Sequence, residues 1–168
     1  PRHRVSGETP VPERVSFLIV PRFNMATLIT MIEPLRIANY LAPYPLYQWD
    51  ILSLDGTDIP ASNGLSIAAT APADRNRRGE TVFVLASWGA ESYANRDSVS
   101  WIRRQAREGV RICSVELGCY LVAKAGLLSG RKTATHWSWA PGFQEQFAGV
   151  QVVEQLFTLD DPVMTCAG

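Results

Sequence analysis

Residues 109–137 read GVRICSVELGCYLVAKAGLLSGRKTATHW. Val110–Val115 is a short apolar run with Val and Ile, too short for a helix, whereas Tyr120, Leu121, Ala123 and Leu127 recur at helical spacing from Gly118 onward. A buried strand therefore hands over to a helix with no loop between them. Glu116 and Leu117 must make the turn, and Gly118 supplies a missing side chain where helix and strand come closest. That is the geometry of a nucleophile elbow, which lifts one side chain off the carboxyl end of a central strand and sets it before a helix amino terminus. The lifted residue is Glu116. Ser or Cys usually stands there to attack a carbonyl carbon, which a carboxylate does not do readily. Glu116 either caps the helix, an effect of about 0.3–1 kcal/mol, or presents its charge to a pocket.

Upstream, Val15–Val20 (VSFLIV) reads as a buried strand stopped by Pro21. Asn24 can cap the next helix, with Leu28, Ile32, Leu35 and Ile37 at helical spacing and Pro34 predicting a kink or a restart. Glu33 and Arg36 stand three apart as a surface ion pair. Tyr47–Leu54 and Thr81–Ala86 are further strands, while Asp55-Gly56 and Ser62-Asn63-Gly64 are turns around short strands at Asp58–Ile59 and Leu65–Ala68. Ser98–Glu108 is an amphipathic helix capped by Ser98, with Trp101, Ile102 and Gln105 inward and Gly109 closing it. Downstream, Trp139–Phe147 reads as a short helix, and Val150–Val153, Phe157–Leu159 and Val163–Thr165 as short strands.

Buried strands alternating with helices mean an α/β fold: a doubly wound, mostly parallel, flavodoxin-like sheet with helices on both faces. Such sheets bind ligands in the crevice beyond the carboxyl ends of their strands. Three strands end there with Arg22-Phe23, Ser87-Trp88-Gly89 and Glu116-Leu117, and His136 and Trp137 join them from the following loop. Trp101 and Trp49 read as core. Residues 1–14 mix Pro, Gly, Arg and Glu without periodicity and read as a disordered tail, which leaves residues 15–168 as the one domain.

A chain of 168 residues buries about 70% of its unfolded surface as one domain, and 46% hydrophobic with 19% charged content is ordinary for such a fold. Sixteen basic residues balance sixteen acidic ones, so the chain has no overall electrostatic case for gripping DNA by itself. Its one basic run, Arg75-Asn76-Arg77-Arg78, reads as a solvated turn. Three cysteines without paired spacing argue against a disulfide framework or a zinc site and suit a reducing cytoplasm. No apolar stretch has signal-peptide or membrane-spanning length, so neither export nor a membrane partner is expected. No metal and no cofactor is expected.

The run Gly118-Cys119-Tyr120-Leu121-Val122-Ala123-Lys124-Ala125-Gly126-Leu127-Leu128-Ser129-Gly130, continuing to Thr135-His136-Trp137, resembles the glutamine-amidotransferase-like (ThiJ/PfpI superfamily) sensor domain of AraC-type transcriptional regulators. The resemblance extends to Val15–Pro21, to Ile32–Asn39, to Ser62-Asn63-Gly64-Leu65 and to Thr165-Cys166-Ala167-Gly168. It implies a ThiJ/PfpI-like fold, a homodimer, a small-molecule effector, and DNA contact only through a helix-turn-helix domain absent from this chain. A doubly wound sheet should continue into another helix after Thr165, so the chain reads as a truncated sensor domain. Enzymatic members of the family carry a Cys at the elbow, a His about twenty residues on, and an acid four residues before a Pro in the first helix. The matching positions here hold Glu116, His136 and Thr30. Cys113 and Cys119 flank the elbow without occupying it and read as buried structural thiols.

The expected function is therefore non-catalytic: a ligand-sensing and dimerisation domain. Glu116 at a partly dry pocket attracts a cation with about 4 kcal/mol at a separation of ~4 Å, before desolvation. Trp88, Trp137 and Tyr93 could face the same cation, although core packing is the alternative for each Trp. The candidate ligand-binding residues are Glu116, Leu117, His136, Trp137, Trp88, Thr30 and Phe23, with Thr30 donating to Glu116 in place of the lost acid. His136 stays open between ligand contact, partner for Glu116 and satisfied buried histidine. Family members with an acid at the elbow look like regulators of choline, betaine, carnitine or arginine use, which implies a cationic nitrogen metabolite. Two other readings are a Cys-independent hydrolase, lyase or hydratase using Glu116 and His136, and a pairing module without a ligand.

Overall fold

A computed structural model describes residues 10–74 and 79–168. The basic run at 75–78 and most of the stretch read as a tail lie outside the described residues. In chain order the elements are β1 (Glu13–Ile19), α1 (Met25–Leu41), β2 (Tyr47–Ser53), β3 (Ile59–Pro60), β4 (Ser66–Ile67), β5 (Ala71–Pro72) and β6 (Thr81–Ala86). There follow α2 (Ala90–Tyr93), α3 (Arg96–Arg107), β7 (Arg111–Glu116), α4 (Gly118–Lys124), β8 (Lys132–Thr133), α5 (Ala140–Gln146), β9 (Gln151–Val152), β10 (Phe157–Asp160) and β11 (Val163–Cys166).

Seven strands form the central sheet in the order β10-β11-β7-β6-β1-β2-β5, parallel throughout except for the β10–β11 pair. The chain winds outward from β1 first through β2 and then, in the other direction, through β6 and β7, so the sheet is doubly wound as expected. Side chains on its strands alternate between two dry faces. Leu18, Val82, Val84 and Ile112 face a core shared with Trp101 and Ile102 of α3, Leu121 and Val122 of α4 and Phe143 of α5. Phe17, Ile19, Ile51, Leu85 and Val115 face a second core closed by Leu28, Ile32 and Leu35 of α1. The topology reverses between β1 and β6, which leaves a crevice beyond their carboxyl ends.

Several local expectations are corrected. β1 begins at Glu13, inside the stretch read as a tail, because Arg14 is pinned by the Glu80 carboxylate at its N–H and by an ion pair to Asp50. α1 does not restart at Pro34 but runs on to Leu41, capped by the Asn24 side chain, which accepts the Ala26 N–H. α3 is capped by Asn95, not Ser98; the Ser98 hydroxyl is buried and donates to the Tyr93 carbonyl. Trp101 is core, with its indole N–H donating to the Asp74 carbonyl, whereas Trp49 is only half-buried at the margin of the α1 core. Glu33 and Arg36 form the expected surface pair at 2.7 Å.

Candidate functional site

β7 ends at Glu116, and the N–H of the next residue, Leu117, still donates to the Ala86 carbonyl of β6 at 3.0 Å. To start α4 at Gly118 the chain must reverse within that space, and Glu116 does so at φ 53, in the left-handed region that side chains other than glycine rarely occupy. This strained turn is the elbow that the sequence implies. Gly118 completes it: a Cβ there would overlap the Val84 carbonyl oxygen, so the first turn of α4 lies directly on the main chain of β6.

Glu116 is only 6% exposed. It does not cap α4, whose N-cap Leu117 offers no side-chain bond. Instead Thr27, in the first turn of α1, donates its hydroxyl to Glu116 Oε1 at 2.5 Å. Thr30 was the expected donor, but it lies one turn further on, is exposed, and turns its hydroxyl back to the Thr27 carbonyl at 2.9 Å. The first turn of the helix is the part that reaches the carboxyl end of β7.

The Glu116 carboxylate lies on the wall of a cavity of about 260 Å³. Leu117, Ser87, Trp88 and His136 share that wall, as the sequence predicts for those elements. Asn24, Ser62 and Trp139 complete it. Phe23 does not contribute: it is fully buried in the α1 core, and its main chain bridges to Ala61, which brings Ser62 alongside. Trp137 does not line the cavity either. A turn in which Trp139 N–H donates to the His136 carbonyl carries Trp139 inward, edge-on to Tyr120 at 6.3 Å, and leaves Trp137 81% exposed. Trp137 instead stacks on the His136 ring at 5.7 Å.

His136 is held by Ser138, whose hydroxyl lies 2.7 Å from Nδ1, and it makes no hydrogen bond to Glu116 among the described residues. The loop that carries it is anchored by a buried chain of hydroxyls. Thr158 donates to the Lys132 carbonyl, Thr165 pairs with Thr158 at 2.6 Å, and Thr165 accepts the Ala134 N–H at 2.7 Å. Neither flanking thiol serves the cavity. Cys119 turns to Thr135 at 3.1 Å, and burial pushes both Cys113 and Cys119 up to about 12, far above the range in which a thiol is a nucleophile at neutral pH. A larger hollow of about 670 Å³ runs along β10, but it is a surface trough lined by the edge strand and Lys132, without convergent polar groups. Among the described residues no group of three His, Cys, Asp or Glu could hold a metal ion, and no helix is long and apolar enough to cross a membrane.

Where the missed residues carry a sequence signal, it points elsewhere. Asn24 reads as a cap and Ser62 as a turn, while Thr27, one helical turn before Thr30, carries no signal of its own. Which of two threonines three apart meets a distant carboxylate depends on where the helix begins relative to the sheet.

The chain matches the model of the DJ-1/PfpI family over residues 13–168. Among curated proteins it is 35% identical over 152 residues to the HTH-type transcriptional regulator CdhR of Pseudomonas aeruginosa, covering 90% of this chain and 45% of that protein. It is 36% identical over 157 residues to the HTH-type transcriptional regulator GbdR of the same species (94% and 43%), and 37% identical over 160 residues to the HTH-type transcriptional regulator GlxA of Rhizobium meliloti (93% and 48%). The chain thus spans less than half the length of these relatives. Among solved structures, an AraC family transcriptional regulator from Pseudomonas putida superposes with a TM-score of 0.80 at 22% identity, covering 94% of this chain and 84% of that one. That likeness concerns the fold, a mostly parallel sheet flanked by helices.

Proposed function

The chain belongs to the DJ-1/PfpI family, and from that premise we propose that it is the effector-binding domain of an HTH-type transcriptional regulator and takes a small cationic nitrogen metabolite of the betaine, carnitine or arginine kind. One observation carries this reading: the elbow position of a DJ-1/PfpI fold holds a carboxylate that faces a small cavity walled by two indoles. A quaternary ammonium or guanidinium group is recognised by a negative charge together with aromatic faces, each face adding about 0.5–2 kcal/mol. Trp88 and Trp139 are those faces, and Ser62, Ser87 and Asn24 offer hydroxyl and amide groups to the rest of the molecule. At about 260 Å³ the cavity is smaller than sites for drug-sized ligands, roughly 300–1,000 Å³, and suits a metabolite.

The reading is non-catalytic because the attacking atom is missing. The thiols at 113 and 119 are buried away from the cavity, and a carboxylate stands where the nucleophile would be. DNA contact would come through a further domain, in the cytoplasm, and the domain would pair with a second copy. The apolar side chains that α1 leaves in solvent, Ile29, Ile37, Tyr40 and Leu41, are available for that pairing.

The test is calorimetry of the parent and Glu116→Gln proteins against betaines, carnitine, arginine and neutral isosteres, preceded by a thermal-shift screen, since a ligand selective for the native state raises its apparent stability. Binding of cations by the parent that is lost in Glu116→Gln supports the reading, and equal binding by both rejects it. The enzymatic alternative has one observation in its favour, that Glu116 and His136 share one cavity. Turnover that survives alkylation of all cysteines and disappears in Glu116→Gln would establish it.

A further inference from the structure

Beside the same cavity stands a charge of the opposite sign. Arg22 follows β1 at φ 68, the other position besides Glu116 where a residue other than glycine is left-handed among the described residues. Its main chain is fixed on both sides: Arg22 N–H donates to the Pro60 carbonyl at 2.7 Å, Val20 N–H to the Leu85 carbonyl, and Phe23 bridges to Ala61. The side chain is exposed and lies over the turn after β6, with Nη1 4.0 Å from where a Cβ on Gly89 would stand. Gly89 directly follows Trp88, whose indole walls the cavity, and Asn24, two residues after Arg22, walls it as well. Arg22 makes no ion pair among the described residues.

A guanidinium with no ion pair among the described residues, set beside a cavity that has a carboxylate in its wall, puts two opposite charges next to one binding space. Arginine presents a planar fork of donors that matches a carboxylate at two points. We propose that Arg22 recognises the anionic end of the effector, so that the ligand is a zwitterion whose cationic centre meets Glu116 and whose carboxylate reaches Arg22. This rests on the reading of Glu116 given above and adds to it the residue that meets the other end of the ligand, the carboxylate that the betaine, carnitine and arginine kinds all carry. It also gives the left-handed turn at Arg22 a purpose, since a right-handed residue there would send its side chain in another direction.

The experiment is isothermal calorimetry on the full chain with two matched pairs of probes: trimethylglycine against trimethylaminoethanol, and arginine against agmatine. Each pair keeps the cation and differs at the carboxylate. The parent is expected to bind the carboxylate member about five- to tenfold more tightly, as a partly exposed charge-assisted pair would give. Arg22→Asn, which tolerates the left-handed backbone, should bring that ratio within about twofold of unity while leaving affinity for the carboxylate-free member unchanged. Arg22→Lys should restore part of it. No preference in the parent, or a preference retained in Arg22→Asn, overturns the proposal. If the parent binds the carboxylate-free cations through Glu116 but shows no preference, only Arg22's role falls; if it binds neither member of either pair, the reading of Glu116 falls with it.

Discussion

The hydroxyl of Thr27 donates to Glu116 Oε1 across 2.5 Å, joining the first turn of α1 to a strand end 89 residues later. One carboxylate oxygen is thereby fixed, and the cavity receives the group in a set direction. Thr27→Val should weaken binding of cationic ligands several-fold and lower stability by about 1 kcal/mol, the usual net value of such a bond. Thr27→Ser should recover both, read by calorimetry and by urea denaturation.

Gly118→Ala should lower stability by at least about 3 kcal/mol, because its Cβ would meet the main chain of β6, which cannot move aside as a side chain could. Gly142→Ala is the matched control. A Cβ at 142 meets nothing within 4 Å, and replacing a helical glycine by alanine should stabilise by about 0.5–1 kcal/mol. Urea midpoints moving in opposite directions for the two variants would verify the close approach of α4 to β6.

Burial pushes the Cys113 and Cys119 thiols up to about 12, from an ordinary value of 9.0. Unfolding exposes them, so between these limits the unfolded chain binds fewer protons than the folded one, and stability falls as pH rises. Their contribution is complete below pH ~9 and declines above it by about 1.4 kcal/mol per pH unit for each thiol. Denaturation midpoints measured from pH 8 to 11 should show this slope, and Cys119→Ala should reduce it. At pH 8 a thiol reagent should label Cys166, which is partly exposed, well before the other two cysteines in the native protein.

Trp88 walls the cavity and Trp137 does not. Trp88→Leu should weaken binding of a quaternary ammonium probe by roughly three- to thirtyfold. Trp137→Ala should leave it within about twofold, since Trp137 touches the site only through its stack on His136. Fluorescence titration of each variant separates the two.

The elbow was legible because three local signals agreed: an apolar run too short for a helix, helical spacing beginning at Gly118, and no residues between them for a loop. The doubly wound, mostly parallel sheet followed from alternating strands and helices, whereas the order of its strands is seen only in the structure. The readings that failed depended on tertiary placement. Ser98 and Asn95 are both good caps, and the choice between them rests on which hydroxyl the core buries. Trp137 and Trp139 are indistinguishable by composition, and a single turn at His136 decides which faces inward. Thr30 is the position that the resemblance matches to the family's acid, whereas the contact is set by the start of α1. Phe23, at the end of a strand that points toward the crevice, was drawn away by the α1 core.

Residue 116 sits at φ 53, and that backbone imposes much the same steric load on any unbranched side chain. The scaffold is thus indifferent to the functional group it displays. Exchanging carboxylate for amide, thiol or hydroxyl at this position would alter the chemical group the cavity presents while leaving the architecture around it alone, a change of cargo at a socket of constant shape.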